Sequence, residues 1–291
     1  KPGGPKLTAT VGQPVVLALH NDLAEATSLT IRGQNLPTDQ VGAAPGGVRL
    51  YTFTPTEPGT FIYEAGPLVN TQHQVAMGLY GTLVVNPDSG PAANDALVVI
   101  SEIDPALSNS ATPATFDMRN YAPKYTLING AVYSSTASAS LGEVAAGEDI
   151  LLRYVNADIN YHSMSVLGAD QQIAADDGHA LANPYMVVAQ TVGPGQTTDA
   201  IVHASDSAAA GTVLTVFDAN LQLRNRNRRP ATSTATVSYG GALGFVHIGG
   251  TPDPTDARLE PERHHDQHQR HDQRCHHGWR RHRCRRVLDR W

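Results

Sequence analysis

The chain has 291 residues, enough for two ordinary domains or one large all-β unit, and a formal net charge of −6. Residues 256–291 hold 10 Arg, 7 of the 13 His, both Cys and both Trp, so residues 1–255 carry 11 basic and 21 acidic side chains. This acidic body argues against nucleic acid as a partner, and its lack of cysteine excludes disulfides there. We also expect no transmembrane segment, because no apolar run is long enough to span a bilayer.

Short runs of β-branched or alternating residues recur along the chain and predict strands. Gly, Pro, Asn and Asp clusters separate them, as expected of turns. The predicted strands are residues 15–19, 49–53, 60–63, 81–85, 96–100, 149–155, 199–204, 212–217 and 234–239. Helical periodicity is almost absent, and we expect at most a turn or two of helix at residues 181–185. Evenly spaced strands of this kind are typical of β-sandwiches.

One segment near the start of the chain is repeated later. Gly12 is followed by an amide, an alternating strand and Asn21, and Gly147 by an acid, an alternating strand and Asn156. Two copies of one sandwich, about 135 residues apart, explain this economically. Residues 87–94, which are rich in Pro, Gly and Asn, have the composition of a linker. The predicted units are a first domain at 1–88, a linker at 89–94, a second domain at 95–250 and a tail at 251–291.

The tail, residues 251–291, has no strand pattern and is rich in His and Arg. It is an out-of-frame reading of a GC-rich gene, a disordered basic tail, or a metal-loading tract, and the three explanations stay open. The candidate ligands of such a tract are His264, His265, His276, His277, Cys275 and Cys284, whose spacing matches no structural zinc motif. Neither a Met nor a signal peptide precedes Lys1, so we expect the chain to begin inside a longer precursor.

The body, roughly residues 7–240, resembles the multicopper oxidase family, whose domains are cupredoxin sandwiches. The matching phrases are VGQPVVLALHNDL, TSLTIRGQ, YTFTPTEPGTFIYEAG, HQVAMGLYGTLVV, YTLINGAVY, GEDILLRYVNA, YHSMSVLGADQQIAADDG and VGPGQTTDAIV. The resemblance implies an all-β fold of two tandem cupredoxin-like Greek-key β-sandwiches. It also implies copper as the family cofactor and an extracellular, periplasmic or cell-envelope location, and it leaves a monomer or a homotrimer open.

The family binds copper through four short histidine motifs, and the first two are changed here. In His-Trp-His-Gly, the two ligand positions correspond to Thr30 and Arg32. In Gly-Thr-x-x-Tyr-His-x-His, they correspond to Glu64 and Gly66. Because a lone buried charge is costly, one hypothesis is that Arg32 and Glu64 form an ion pair at the former metal position. The alternative is that both simply face solvent at the strand ends.

The third motif, His-Pro-x-His-x-His-Gly, is partly kept. His162 stands at its first histidine, whereas Ser165 and Leu167 stand at the other two ligand positions. His162 and Met164 are therefore weak candidates for a metal site, since imidazole and thioether both suit Cu(I). The stronger expectation is that His162 is a packed histidine at the start of a strand.

The fourth motif, Phe-His-Cys-His-x-x-x-His, has lost every ligand. Its positions correspond to Asp218, Asn220 and Arg224, and Asp218 and Arg224 are candidates for a second ion pair. Alternatively, the second half corresponds to the ligand-free middle domain of three-domain members of the family. The single histidines that we expect at the surface or in loops are His73, His179 and His203.

These changes argue against oxidase chemistry. A blue copper site needs a thiolate beside two imidazoles, and residues 1–255 contain no cysteine. We therefore expect copper not to be bound stoichiometrically and the protein to have a non-catalytic binding or structural role, although whether it is an enzyme stays open. One alternative is a laccase-like copper oxidoreductase that takes ligands from a missing C-terminal segment or another subunit. Another is an unrelated β-sandwich that serves as an adhesin or binds carbohydrate.

Overall fold

A computed structural model describes residues 2–68, 72–133, 140–220 and 241–249. These residues form two β-sandwiches, one after the other along the chain, which pack together as a single unit. The predicted all-β fold of two tandem sandwiches is confirmed. Among the described residues, no helix is long and apolar enough to cross a bilayer.

The first sandwich contains six of the described strands. They are β1 (Leu7–Thr10), β2 (Val15–His20), β3 (Leu29–Ile31), β4 (Val48–Phe53), β5 (Gly59–Ala65) and β6 (Tyr80–Asn86), with helix α1 (Gln72–Ala76) between β5 and β6. A four-stranded sheet of order β1-β6-β5-β3 packs on the β2-β4 pair. Burial alternates along β2, so that Val15 and Leu17 pack against the core that contains Phe61 and Leu83.

The second sandwich contains the remaining described strands. They are β7 (Asp95–Ile103), β8 (Tyr125–Ile128), β9 (Ser140–Val144), β10 (Asp149–Asn156), β11 (His162–Leu167), β12 (Gln171–Asp176), β13 (His179–Val187), β14 (Ala189–Val192), β15 (Thr197–His203), β16 (Val213–Asp218) and β17 (Leu243–Ile248). Helix α2 (Pro105–Ser108) and the 3₁₀ turns Pro113–Thr115 and Met118–Asn120 follow β7. The sheet β13-β12-β15-β10-β7-β8 packs on the sheet β14-β11-β16-β17-β9 around fully buried side chains such as Leu152 and Tyr154.

Eight of the nine predicted strands overlap observed strands, and the ninth, residues 234–239, lies outside the described residues. The predicted helical turn at 181–185 is wrong, because this stretch belongs to β13. β13 is the edge strand of its sheet, where Pro184 does not have to donate a ladder hydrogen bond. Residues 87–94 connect β6 to β7. The tail, residues 251–291, lies outside the described residues.

The repeated segment forms the same structure twice. Gly12 and Gly147 begin each copy with positive φ angles of 75° and 80°. In each copy the buried asparagine after the strand, Asn21 or Asn156, binds the main chain three times. Its amide donates to the carbonyl four residues later and to a second carbonyl, and its oxygen accepts from the N–H two residues later, over 2.7–3.0 Å. This shared pattern confirms the predicted internal repeat.

A buried ionic network joins the two sandwiches. Arg153 Nη1, on β10, donates to Asp199 Oδ2 at 3.2 Å and to Thr60 Oγ1 of β5 at 2.9 Å, and Arg153 Nε donates to Asp95 Oδ2 at 2.9 Å. The Thr60 hydroxyl donates in turn to Asp199 Oδ1 at 2.6 Å. Burial raises the pKa of Asp199, although the positive charge of Arg153 opposes this. The first sandwich thus supplies a neutral hydroxyl that completes a charge network of the second.

We expect Thr60→Val to lower the free energy of unfolding by about 1–3 kcal/mol, because it removes hydrogen-bond partners of the buried Asp199 and Arg153 side chains. Thr60→Ser keeps the hydroxyl and is the matched control, with a smaller expected loss. Urea unfolding followed by circular dichroism measures both. Equal losses in the two variants would show that the hydroxyl does not stabilise the network.

Candidate functional site

A cavity of about 720 Å³ lies where the two sandwiches meet, and we call it the junction cavity. Its volume is typical of small-molecule sites, which measure roughly 300–1,000 Å³. Its wall includes Thr30, Arg32, Glu64 and Gly66 from the first sandwich and Glu102 and Asp158 from the second. The four positions at which the first two motifs lack their histidines therefore share one cavity.

Two adjacent strands place these four positions together. β3 pairs antiparallel with β5, and Thr30 lies opposite Glu64 in that register. Arg32 directly follows β3, and Gly66 directly follows β5. A β-carbon at Gly66 would lie too close to the Ser28 hydroxyl, so a larger residue at this position would require the Ser28 side chain to move.

Arg32 and Glu64 form the expected ion pair. Arg32 Nε and Nη2 donate to Glu64 Oε1 at 2.8 and 2.6 Å. The Glu64 side chain is 10% exposed and the Arg32 side chain 54% exposed, so the carboxylate is covered while the guanidinium still meets solvent. The guanidinium lies against Gly195 of the second sandwich, where a β-carbon would collide with it. The pair thus belongs to the contact between the two sandwiches.

Behind the cavity wall, His162 lies between two carboxylates. Its Nε2 is 2.7 Å from Asp158 Oδ2 and its Nδ1 is 2.8 Å from Asp218 Oδ2, and all three side chains are essentially inaccessible to solvent. Burial alone would lower the pKa of His162, but the hydrogen bonds to Asp158 and Asp218 outweigh it and raise that pKa to about 10. Because a carboxylate only accepts, both ring nitrogens carry a hydrogen. The side chain is a buried cation whose nitrogens offer no lone pair to a metal.

Asn160 connects this network to the cavity. Its Nδ2 donates to Glu102 Oε2 at 2.7 Å, and its main-chain N–H donates to Asp158 Oδ1 at 2.8 Å. Burial raises the pKa of Glu102 to about 7, the charge of Asp158 adds to the increase, and the hydrogen bond from Asn160 opposes it. A carboxylate oxygen of Glu102, one of Asp158 and a ring nitrogen of His162 lie within 4.8 Å of one another, a spacing that could hold a metal ion. Both ring nitrogens of His162, however, already bind carboxylates.

The candidates from the third motif do not line the junction cavity. Side chains alternate along β11, so His162 and Met164 point into the second sandwich and Ser165 and Leu167 point outward. Met164 is fully buried in the hydrophobic core, whereas Leu167 is 66% exposed. The Ser165 hydroxyl donates to the main-chain oxygen of Val188 at 2.6 Å.

The candidates from the fourth motif are also separate from the cavity. Asp218 uses Oδ2 for His162, and its Oδ1 accepts from the main-chain N–H groups of Ser163 and Asn220 at 3.0 Å each. The amide of Asn220 donates to the main-chain oxygen of Tyr161. Arg224, the other half of the suggested second ion pair, lies outside the described residues.

The motifs did not indicate Glu102, Asp158 or Asn160. The sequence feature that could have indicated them is a polar residue at every second position from Asn156, the last residue of β10, to His162. The expected surface position of His73 is wrong, since it lies in α1, is 3% exposed and contacts Glu25 at 2.6 Å. The two single histidines that are exposed as expected are His179 and His203.

Two family models described as multicopper oxidase match the chain, at residues 2–90 and 102–242. The multicopper oxidase MmcO of Mycobacterium tuberculosis is 26% identical over 86% of this chain and 52% of that protein. The copper-containing nitrite reductase of Alcaligenes xylosoxydans is 26% identical over 53% of this chain and 54% of that protein. The chain therefore spans about half the length of these two relatives. Among solved structures, the blue copper oxidase of Nitrosomonas europaea has the same fold, with a TM-score of 0.69, 21% identity and coverage of 84% of this chain and 76% of that chain.

We expect the protein to lose stability as the pH rises from about 6.5 to about 10. The pKa of His162 is higher in the folded chain than its ordinary value, so its contribution is complete below the ordinary value and is lost as the pH approaches the folded one. His162→Gln should remove this slope and lower the free energy of unfolding by about 3–5 kcal/mol, because it leaves two buried carboxylates without their cation. Urea unfolding at several pH values measures both effects.

The matched control for this prediction is His203→Gln, which removes an exposed imidazole beside Asp149. Exposed ion pairs contribute little, so this variant should keep both the stability and its pH slope. A wild-type protein whose stability does not change over the same pH range would contradict the description of His162 as a buried cation.

Proposed function

Because this chain belongs to the multicopper oxidase family, we propose that it is a member in which ion pairs replace the copper ligands and that it binds a ligand rather than oxidises one. The observation that carries the proposal is the contact of Arg32 with Glu64 at 2.6 Å. Both residues stand at positions where the family motifs have histidines. The pair joins the covered carboxylate of Glu64 to a partly exposed guanidinium, so the charge of Glu64 is neutralised without a metal.

The chemistry of the donor groups supports the same conclusion. Copper in proteins is held by neutral imidazole, thiolate and thioether groups. The four first-sandwich positions supply a hydroxyl, a guanidinium, a carboxylate and a glycine. In the second sandwich, both nitrogens of His162 bind carboxylates, and Met164 is a core residue. These side chains do not fit copper, and no step of a copper reaction is assigned to them.

The charge pairs on the two walls of the junction cavity also support a binding role. Arg32 ties Glu64 to the second sandwich, and His162 holds Asp158 at the opposite wall. Each wall is fixed by charge pairing, so the cavity keeps its shape without a metal. The family resemblance supports an extracellular, periplasmic or cell-envelope location, which fractionation of the source cells would test.

The second candidate function is a copper-dependent oxidoreductase completed by another part of the protein or by a second subunit. The observation in its favour is that the chain spans about half the length of MmcO. Ser165 and Leu167 also point outward from β11, away from the junction cavity and toward the surface. This alternative includes a homotrimer, whereas the first proposal needs only a monomer. Light scattering of the purified chain distinguishes the two assemblies.

We expect the protein to hold far less than one copper per chain after incubation with Cu(II) and dialysis, because the side chains of its body do not fit the ion. Inductively coupled plasma mass spectrometry measures the copper content of the protein. Visible absorbance detects a thiolate–copper band, and the oxidation of a phenol measures catalytic turnover. The full chain and residues 1–250 are compared, so that copper on the His-rich tail is recognised. Stoichiometric copper with turnover in residues 1–250 would overturn the proposal and favour the alternative.

A further inference from the structure

The carboxylates of the junction cavity differ in how well they are neutralised. Glu64 has the guanidinium of Arg32 as its partner. Asp158 has the imidazolium of His162, although Asp218 shares that cation. Within the described part of the chain, Glu102 accepts a hydrogen bond from the neutral amide of Asn160, and the residue is only 8% exposed. The cavity wall therefore carries one carboxylate without a cationic partner.

The charged groups around Glu102 favour the binding of a cation next to it. Asp158 lies close enough to raise the pKa of Glu102, in addition to the larger effect of burial, and Asp218 adds to the same effect from further inside. The positive charge of His162 opposes it. Because the two aspartates share this one imidazolium, the net charge behind Glu102 is negative when they are ionised, so an arriving cation is attracted and an anion is repelled.

A second polar group lies at the same end of the cavity. Tyr80 is 4% exposed and lines the cavity, and its hydroxyl lies near that of Ser101, although neither makes a well-aligned hydrogen bond among the described residues. Burial raises the pKa of Tyr80, and the charge of Asp158 adds to the increase, which places this hydroxyl near the carboxylates. Because the contact with Ser101 is poorly aligned, a ligand that donates to the Tyr80 hydroxyl would complete its hydrogen bonding.

The rest of the wall is largely apolar. It includes side chains from both sandwiches and from the segment after β7, among them Leu68, Val75, Met118, Tyr121 and Ile159. Burial raises the pKa of Tyr121, and the charges of Glu102 and Asp158 add to the increase, so this ring also lies near the acidic end. An aromatic ring, a thioether and aliphatic groups suit the apolar body of a small molecule.

We propose that the junction cavity binds a small organic cation, a primary ammonium with an apolar or aromatic body, whose charged end contacts Glu102 and Tyr80. The ammonium group donates three hydrogen bonds and accepts none, which matches a carboxylate and a hydroxyl oxygen. The apolar body then packs against Val75 and Met118. This inference rests on the proposed function, because it requires the cavity to hold a ligand in place of copper.

Other ligand classes fit the site less well. An anion would have to approach Arg32, whose Nε and Nη2 already donate to Glu64, while facing Glu102 and Asp158. A divalent cation such as Ca²⁺ needs six to eight oxygen ligands. Near Glu102, Asp158 already uses Oδ2 for His162 and Oδ1 for the N–H of Asn160.

Isothermal titration calorimetry of the full-length, copper-free protein tests the proposal with three probes of similar shape. They are phenethylamine, the neutral phenethyl alcohol and the anionic phenylpropanoate. At about pH 8 the amine is charged and Glu102 is mostly ionised. We expect phenethylamine to bind with a Kd on the order of 1 mM or below, and each of the other probes at least about tenfold more weakly.

Two variants identify the site. Glu102→Gln keeps the size and the hydrogen bond from Asn160 but removes the charge, and it should weaken phenethylamine binding by about ten- to a hundredfold. Tyr80→Phe should weaken it less, by about three- to tenfold. Glu57→Gln makes the same chemical change at an exposed surface carboxylate beside His179 and should leave the Kd unchanged. Circular dichroism confirms that each variant is folded.

Several results would overturn the inference. Equal binding of the amine and the alcohol would show that the charge is not recognised, and tighter binding of phenylpropanoate would place the ligand at Arg32. Unchanged binding in both cavity variants, or no binding of the amine at about 10 mM, would remove the site. A protein that binds neither phenethylamine nor copper would refute only this inference. A protein that binds stoichiometric copper would refute the proposed function itself.

Discussion

The pairing of the buried Arg153 with Asp199 determines how the two halves of the protein meet. A guanidinium this deeply covered requires a partner, and the third member of the network is the hydroxyl of Thr60 from the other sandwich. Thr60 and Glu64 both lie on β5, and Arg153 lies on the strand that leads to Asp158. The network therefore fixes both walls of the junction cavity at once, and the cavity is a consequence of the way the sandwiches are joined.

The same requirement for pairing explains the interior of the site. Around the junction cavity, acidic and basic side chains neutralise one another, as Arg32 does for Glu64 and His162 for Asp158. Such pairs add little stability compared with apolar side chains of similar size, but removing one member is costly. Their effect is to fix the positions of the paired side chains. Glu102 is the exception, because the group that donates to its carboxylate is the neutral amide of Asn160, and the charge balance of the cavity depends on it.

Local patterns in the sequence were sufficient for the fold class and for eight of the seventeen described strands. Alternation and turn residues located eight strands, and the repeat of Gly12 to Asn21 at Gly147 to Asn156 indicated two copies of one sandwich. The Arg32–Glu64 pair was also predictable, since two changed motifs introduced opposite charges at the ends of neighbouring strands. In these cases the relevant residues are close in sequence or lie in motifs of fixed spacing.

The rest of the site depends on contacts between distant parts of the chain. Glu102 ends near Asn160 because β7 pairs with β10, and neither residue belongs to a recognised motif. The buried His73 pairs with Glu25, which comes from a distant segment of the chain. The strand at 181–185 was missed because its Asn-Pro step resembles a turn, and only its place at a sheet edge makes that proline acceptable. None of these features has a signature within a short window of sequence.

The strand order also has a consequence for how the protein is made. β1 pairs in parallel with β6, the last strand of its sandwich, and β9 pairs in parallel with β17 near the end of the second. Each early strand leaves the ribosome long before its neighbour exists. At the usual rate of synthesis, β1 waits for roughly 4–15 s. During that interval its unpaired edge is open to other chains, so each sandwich is completed only when the last of its described strands pairs with a strand made much earlier.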